Sequence, residues 1–200
     1  MIRVIDYGLG NVQAFINAYK LLNIDAAIAK VPGDLDDATH LILPGVGSFD
    51  LAMQLFESSG MRVAVENLVS GVGLPILGVC VGMQILASSS DEGEELGLGW
   101  IPGVVKRIES HRNDEVLQLP HMGWNDAIAI ASNPLLMSAE FYFLHSYHFI
   151  PTDKNSILAE FYYGSNMVCV VGKDNVLGVQ FHPEKSHDNG ISLLKNFSNI

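Results

Sequence analysis

Cysteine is scarce in this sequence, and positive charge is half as common as negative. Only Cys80 and Cys169 occur in 200 residues. No disulfide framework is implied, so the fold must rest on a packed core, and a reducing, cytoplasmic compartment is the expectation. Lys and Arg together number 11 against 22 Asp and Glu, a formal net charge of −11. No run of basic residues concentrates the cations, which argues against nucleic-acid backbones or an anionic membrane as partners. Charged residues of both signs make up only 16% of the chain and hydrophobic ones 48%, a balance suited to a deeply buried sheet rather than disorder. A long apolar helix is also missing. Residues 67–90 carry no charge, but Gly71, Gly73, Pro75, Gly78 and Gly82 divide them, so the stretch reads as loop, buried strand, turn and helix rather than a membrane span. The opening Met1 to Asp6 lacks the apolar core of a signal peptide. No linker, repeat or low-complexity segment interrupts the chain, and residues 1–200 are read as one domain.

Familiar cofactor signatures are incomplete. Gly8-Leu9-Gly10 follows an apolar run as in a dinucleotide fingerprint, but Gln13 stands where the third glycine belongs. No Gly-x-x-x-x-Gly-Lys phosphate loop occurs. His145 and His148 are three apart on an expected strand Phe141 to Ile150, hence on opposite faces. No cofactor and no metal site are expected.

What is present is alternation. Ile2 to Ile5 reads as a strand, followed by the Asp6 to Asn11 loop and then Val12, Phe15, Ile16, Tyr19 and Leu22 at helical spacing, with Asn11 as cap. Ile24 to Ala29 and His40 to Leu43 read as strands, the second running into Pro44-Gly45-Val46-Gly47 and a helix from about Ser48. Pro75 to Val79 leads into Cys80 and a helical run Met83 to Ala87. Strand, loop and helix in repetition indicate an α/β fold, with a largely parallel sheet flanked by helices and loops gathered at its carboxyl edge. After Trp100 come strand-like runs at Val104 to Ile108, Phe141 to Ile150, Ile157 to Tyr163, Met167 to Val171 and Val176 to Phe181. These suit antiparallel additions to the sheet. A last helix is expected from Gly190 to Phe197.

Chemistry concentrates in two places. In Gly78-Val79-Cys80-Val81-Gly82 a strand must turn sharply into a helix at the cysteine, the form of a nucleophile elbow. The glycines leave room for the turn, and a helix start behind Cys80 favours the thiolate, the attacking species. An isolated cysteine is more often an inert core thiol, and Cys169, in the apolar run Met167 to Val171 without a glycine frame, fits that description. The second place is Phe181-His182-Pro183-Glu184. If the backbone stays extended, His182 and Glu184 lie on one side, where the imidazole serves as base and the carboxylate fixes its tautomer.

With these two motifs the chain resembles the class I (triad) glutamine amidotransferases, a flavodoxin-like family. Within that family it is most similar to the glutaminase subunits of imidazole glycerol phosphate synthase, through Asp6-Tyr7-Gly8-Leu9-Gly10-Asn11, Pro44-Gly45-Val46-Gly47-Ser48-Phe49, Pro120-His121-Met122-Gly123-Trp124-Asn125 and Glu184-Lys185-Ser186. The resemblance implies that Cys80, His182 and Glu184 hydrolyse glutamine through a thioester. It implies an oxyanion hole from Val81 and the Val46-Gly47 turn, and substrate held by Gln84 and Glu92. Without it, Glu92 beside Asp91, Glu94 and Glu95 would read as a solvated surface acid. The implied partner is a (β/α)8 cyclase, contacted through Gly8, Leu9, Gly10, Asn11, His121, Met122, Trp124 and Lys185, in histidine biosynthesis. A paralogue serving an ATP-dependent sugar amidotransferase stays open, because Leu98 to Gly103, His145 to Phe149 and Lys185-Ser186-His187 look more like it. A non-catalytic regulatory subunit and a cysteine peptidase on a related sheet are the rivals of other classes.

Overall fold

The computed structural model describes residues 1–112 and 115–200. In chain order the first half builds β1 (Ile2–Ile5), α1 (Val12–Leu21), β2 (Ala26–Ala29), β3 (His40–Gly45), α2 (Phe49–Ser58), α3 (Met61–Glu66), β4 (Ile76–Cys80) and α4 (Val81–Gln84). The second half is mostly strands: β5 (Ser89–Ser90), β6 (Gly103–Arg107), β7 (His111–Arg112), β8 (Glu115–Val116), β9 (His121–Ala129), β10 (Ala139–His145), β11 (Tyr147–Pro151), β12 (Ile157–Tyr162), β13 (Asn166–Lys173) and β14 (Val176–Val179). Helix α5 (His187–Phe197) closes the chain.

Nine of these strands form one sheet in the order β10-β9-β12-β13-β14-β4-β3-β1-β2. Strands β2, β1, β3, β4 and β14 run parallel to their neighbours, and from β14 outward β13, β12, β9 and β10 pair antiparallel. This is the largely parallel sheet with antiparallel additions that the sequence pattern implies. The parallel strands are mostly apolar because the crossovers between them cover both faces; every residue of β4 is buried. The flanking helices bury one stripe each, Phe15, Ala18 and Tyr19 in α1 and Phe49, Ala52, Met53 and Phe56 in α2. Each such phenylalanine, removed from water, contributes roughly 1.5–3 kcal/mol. Asn11 caps α1 as expected, its side chain accepting from the Ala14 N–H at 3.2 Å.

Three local expectations need correction. The run Phe141 to Ile150 is two strands in different sheets: β10 joins the large one, while β11 pairs with β6 in a three-stranded sheet. His145 and His148 therefore occupy separate elements rather than opposite faces of one. The motif segment Pro120 to Asn125 lies largely in a strand, since β9 begins at His121. The helix behind Cys80 is a single turn, Val81–Gln84, continued to Ala87 only by tighter bonds such as Leu86 N–H to Met83 O. It therefore contributes free N–H groups more than a long helix dipole. Strand β14 ends at Val179, two residues before Phe181. Among the described residues no helix is long and apolar enough to cross a membrane.

Candidate active site

Parallel pairing of β3, β4 and β14 brings their carboxyl ends to one edge of the sheet, where chain segments that leave the strands converge. Gly45 of β3 lies opposite Cys80 of β4, and Val79 opposite Val179 of β14. Cys80 ends its strand with φ 57° and ψ −112°, a conformation that non-glycine residues adopt only where the surroundings enforce it. Enforcement comes from close packing: a Cβ on Gly82 would overlap the Leu43 carbonyl oxygen, so only glycine lets α4 settle this near β3.

Beyond β14 the chain runs through Gln180 and Phe181 to His182, whose N–H donates to the Tyr142 carbonyl at 2.9 Å. The imidazole Nδ1 meets Glu184 Oε1 at 2.8 Å, both side chains almost wholly buried. An extended backbone is not what brings them together. Pro183–Lys185 forms a 3-10 turn that folds the carboxylate back to Nδ1, and Ser186 locks the turn, its Oγ donating to His182 O at 2.6 Å and accepting from Tyr142 N–H at 3.0 Å. The ring lines the same cavity as Cys80, and the Cys80 side chain favours its protonated form. Burial alone would lower the His182 pKa, but the bonds and charges of Cys80 and Glu184 outweigh it and push the value up to about 9. Cys169 contrasts: it is fully buried in β13, and burial raises its thiol pKa well above the ordinary value.

A cavity of about 280 Å³ opens over the sulfur, near the lower end of the roughly 300–1,000 Å³ usual for small-ligand sites. Val46, Gly47, Val81, Gln84, Glu92 and Lys185 all line it, together with Leu144 to Tyr147. Gly47 has φ +91°, which favours glycine at this turn, and Val46 is exposed. Gln84 is buried, its amide donating to Tyr147 O and to Gln180 Oε1, each at 3.1 Å. Glu92 is no free surface acid, since its Oε2 accepts from the Phe49 N–H at 2.8 Å.

The expected interface residues divide. Met122, Trp124 and Lys185 are exposed, Trp124 stacking on His187 at 5.1 Å between ring centroids and Lys185 Nζ lying 5.9 Å from the Tyr142 ring. Gly8 and Asn11 are exposed and Leu9 and Gly10 half-buried; a Cβ on Gly10 would lie 2.8 Å from that of Pro44, so this loop abuts the turn after β3. His121 differs from the others, because its side chain points into the core. There it forms a polar chain with His145. His145 Nδ1 faces the Tyr147 carbonyl at 2.9 Å and must donate; its Nε2 then accepts from His121 Nδ1 at 3.2 Å, and His121 Nε2 accepts from Asn125 Nδ2 at 3.2 Å.

Reasoning from the sequence missed Gln180, Ser186 and Tyr7. Gln180 is fully buried, with its Nε2 3.9 Å from Cys80 Sγ; its place two residues before His182 in one motif was the available signal. Tyr7 donates to the Pro44 carbonyl at 2.7 Å and so steadies the end of β3.

Comparisons with known proteins identify the family. The family model described as glutamine amidotransferase class-I matches residues 3–199. The chain is 48% identical over 204 residues to "Imidazole glycerol phosphate synthase subunit HisH" of Leptospira interrogans, covering all of both chains. It is 51% identical over 204 residues to the protein of the same description in Bdellovibrio bacteriovorus, again covering all of both. A crystal structure described as glutamine amidotransferase superposes with a TM-score of 0.76 at 22% identity, covering 98% of each chain.

Proposed function

Since the chain belongs to the class I glutamine amidotransferases, we propose that Cys80, His182 and Glu184 make it the glutaminase subunit of an imidazole glycerol phosphate synthase, with a (β/α)8 cyclase as partner. One observation carries the catalytic part: a cysteine held at an elbow with φ 57° shares a cavity with an imidazole whose Nδ1 meets a buried carboxylate at 2.8 Å. The names of the full-length relatives support the choice of synthase.

In this reading the Cys80 thiolate attacks the side-chain amide carbon of glutamine, forming a C–S bond and an oxyanion. His182, protonated at Nε2, gives its proton to the departing nitrogen as the C–N bond breaks, so ammonia leaves and a thioester remains. Water then donates a proton to His182 and its oxygen to the carbonyl carbon; the C–S bond breaks, releasing glutamate and regenerating the thiolate. Glu184 stabilises the imidazolium and holds its orientation without taking a proton. The backbone N–H of Val81, at the first position of α4, and those of the Val46-Gly47 turn are the donors for the oxyanion. Gln84 and Glu92 hold the amino-acid end of the substrate, and ammonia passes to the cyclase rather than to bulk water, where it would be protonated.

Replacing the nucleophile tests the reading. In Cys80→Ala, glutamine-dependent synthesis should vanish, while the complex with the cyclase should still turn over on added ammonium salt. Glutamine hydrolysis persisting in that variant would overturn the assignment.

A further inference from the structure

The segment Asp91-Glu92-Gly93-Glu94-Glu95 holds four acids in five residues and would be expected to splay into solvent. It is instead clasped to the start of α2 by bonds running both ways. From α2, the Phe49 N–H donates to Glu92 Oε2 at 2.8 Å. From the acidic segment, the N–H groups of Glu94 and Glu95 donate to Asp50 Oδ2 and Oδ1, each at 3.0 Å. The Asp50 carboxylate sits against Gly93 so closely that a Cβ there would overlap it. Ser90 Oγ accepts from the Glu92 N–H at 3.1 Å, fixing the other flank. Ser48, the residue placed to cap α2, makes no side-chain cap bond; Glu92, reaching across from another part of the chain, supplies it.

We infer that Asp50 is a positioning residue for substrate recognition: by holding the backbone of Gly93 to Glu95 it presents Glu92 to the cavity at the angle needed to accept an α-ammonium group. The inference rests on the glutaminase reading and adds to it a residue outside the cavity lining. The geometry divides the labour of Glu92. Oε2 is committed to the helix, which leaves Oε1 for a ligand cation. A carboxylate already bonded and oriented loses little rotamer entropy on binding, so the clasp converts a flexible surface acid into a preorganised one. Without Asp50 the two N–H groups lose their acceptor, the segment is released, and Glu92 regains the freedom of a solvated side chain. Reagents that carry an α-ammonium should then lose their advantage, while those without it should be unaffected.

The experiment compares two alkylating reagents on Cys80: a chloroketone analogue of glutamine, which carries the α-ammonium, and iodoacetamide, which does not. Rates are measured by peptide mapping on the full chain. For Asp50→Ala the ratio of chloroketone to iodoacetamide rates should fall about tenfold, the loss of one hydrogen bond to a charged group, with the iodoacetamide rate unchanged. Asp50→Asn, which keeps one acceptor for the two N–H groups, should fall in between. Glu92→Gln should lower the ratio likewise, and adding Asp50→Ala to it should change little further, because the two residues act through one contact. A general loss of folding would move both reagents alike. An unchanged ratio in Asp50→Ala overturns the inference and leaves the glutaminase reading intact. No preference for the chloroketone in the unsubstituted chain, or labelling at Cys169, overturns both.

Discussion

Three imidazoles near the cavity are held in opposite protonation states by what surrounds them. His182 has its pKa raised to about 9, since Cys80 and Glu184 outweigh the effect of burial. His121 is lowered to about 4 by burial. His145 is lowered to about 3, chiefly by burial, with nearby His121, His148 and His182 adding to it against the Tyr147 carbonyl. Unfolding returns each to the ordinary value near 6.5. For His182 the folded pKa is the higher, so its stabilisation is complete below pH 6.5 and is lost as pH rises through about 9. For His121 and His145 the folded pKa is the lower, so theirs is complete above pH 6.5 and is lost as pH falls toward 4 and 3. A melting series from pH 4 to 10 should show His182→Gln flattening the alkaline limb alone, and His145→Leu the acid limb alone. Alkaline limbs of equal slope in the wild type and His182→Gln would contradict the assigned ion pair.

The elements that present Cys80 are held by contact between backbones more than by side chains. α4 has only four residues and no helix stability of its own; it stands because Gly78, Gly82 and Gly45 let β4, α4 and β3 approach closely. Gly82→Ala should lower the unfolding free energy by about 3 kcal/mol and slow Cys80 alkylation, both readable from urea titration and reagent kinetics. An unchanged urea midpoint would show that the layer has more slack than the geometry allows. β9 illustrates a different point. Its outward positions include Met122, Trp124 and Ile128, all exposed, so the apolar and polar alternation that marks a half-buried strand is blurred, and the strand is not legible in the sequence. Large apolar side chains left in the open are a feature of contact surfaces rather than of free ones, which supports the proposed cyclase face.

The proposed partner would act on glutamine hydrolysis at the scale of the whole molecule. The Gly8 to Asn11 loop abuts Pro44 through Gly10, and the turn that follows carries Val46 and Gly47 into the cavity. A partner docking on that loop and on Trp124 is therefore one layer of contact away from an oxyanion donor. The isolated chain should hydrolyse glutamine slowly, and the purified cyclase with its nucleotide ligand should stimulate it by up to about 10²–10³, the value of one such donor. Stimulation only by a sugar amidotransferase would select the paralogous pathway. Full activity of the chain alone would remove gating and leave the chemistry of Cys80 in place.

How much of this was legible beforehand follows from the range of each interaction. Apolar runs of four to six residues, a glycine frame around Cys80, the cap at Asn11 and the juxtaposition of His182 with Glu184 are local patterns, governed by backbone sterics and periodicity within a few residues. They were enough for the parallel half of the sheet, the elbow and the choice of family. Contacts between distant residues leave no such trace. The break at Ser146 that sends β11 to a second sheet, the 3-10 turn that brings Glu184 to the imidazole, the inward turn of His121 and the clasp joining Asp50 to residues 44 and 45 positions away depend on where separate segments meet. Chain order alone pointed to the residues proposed to carry the chemistry. Packing decided their geometry, because burial, hydrogen-bond partners and pKa shifts arise only once the carboxyl ends of β3, β4 and β14 share one edge.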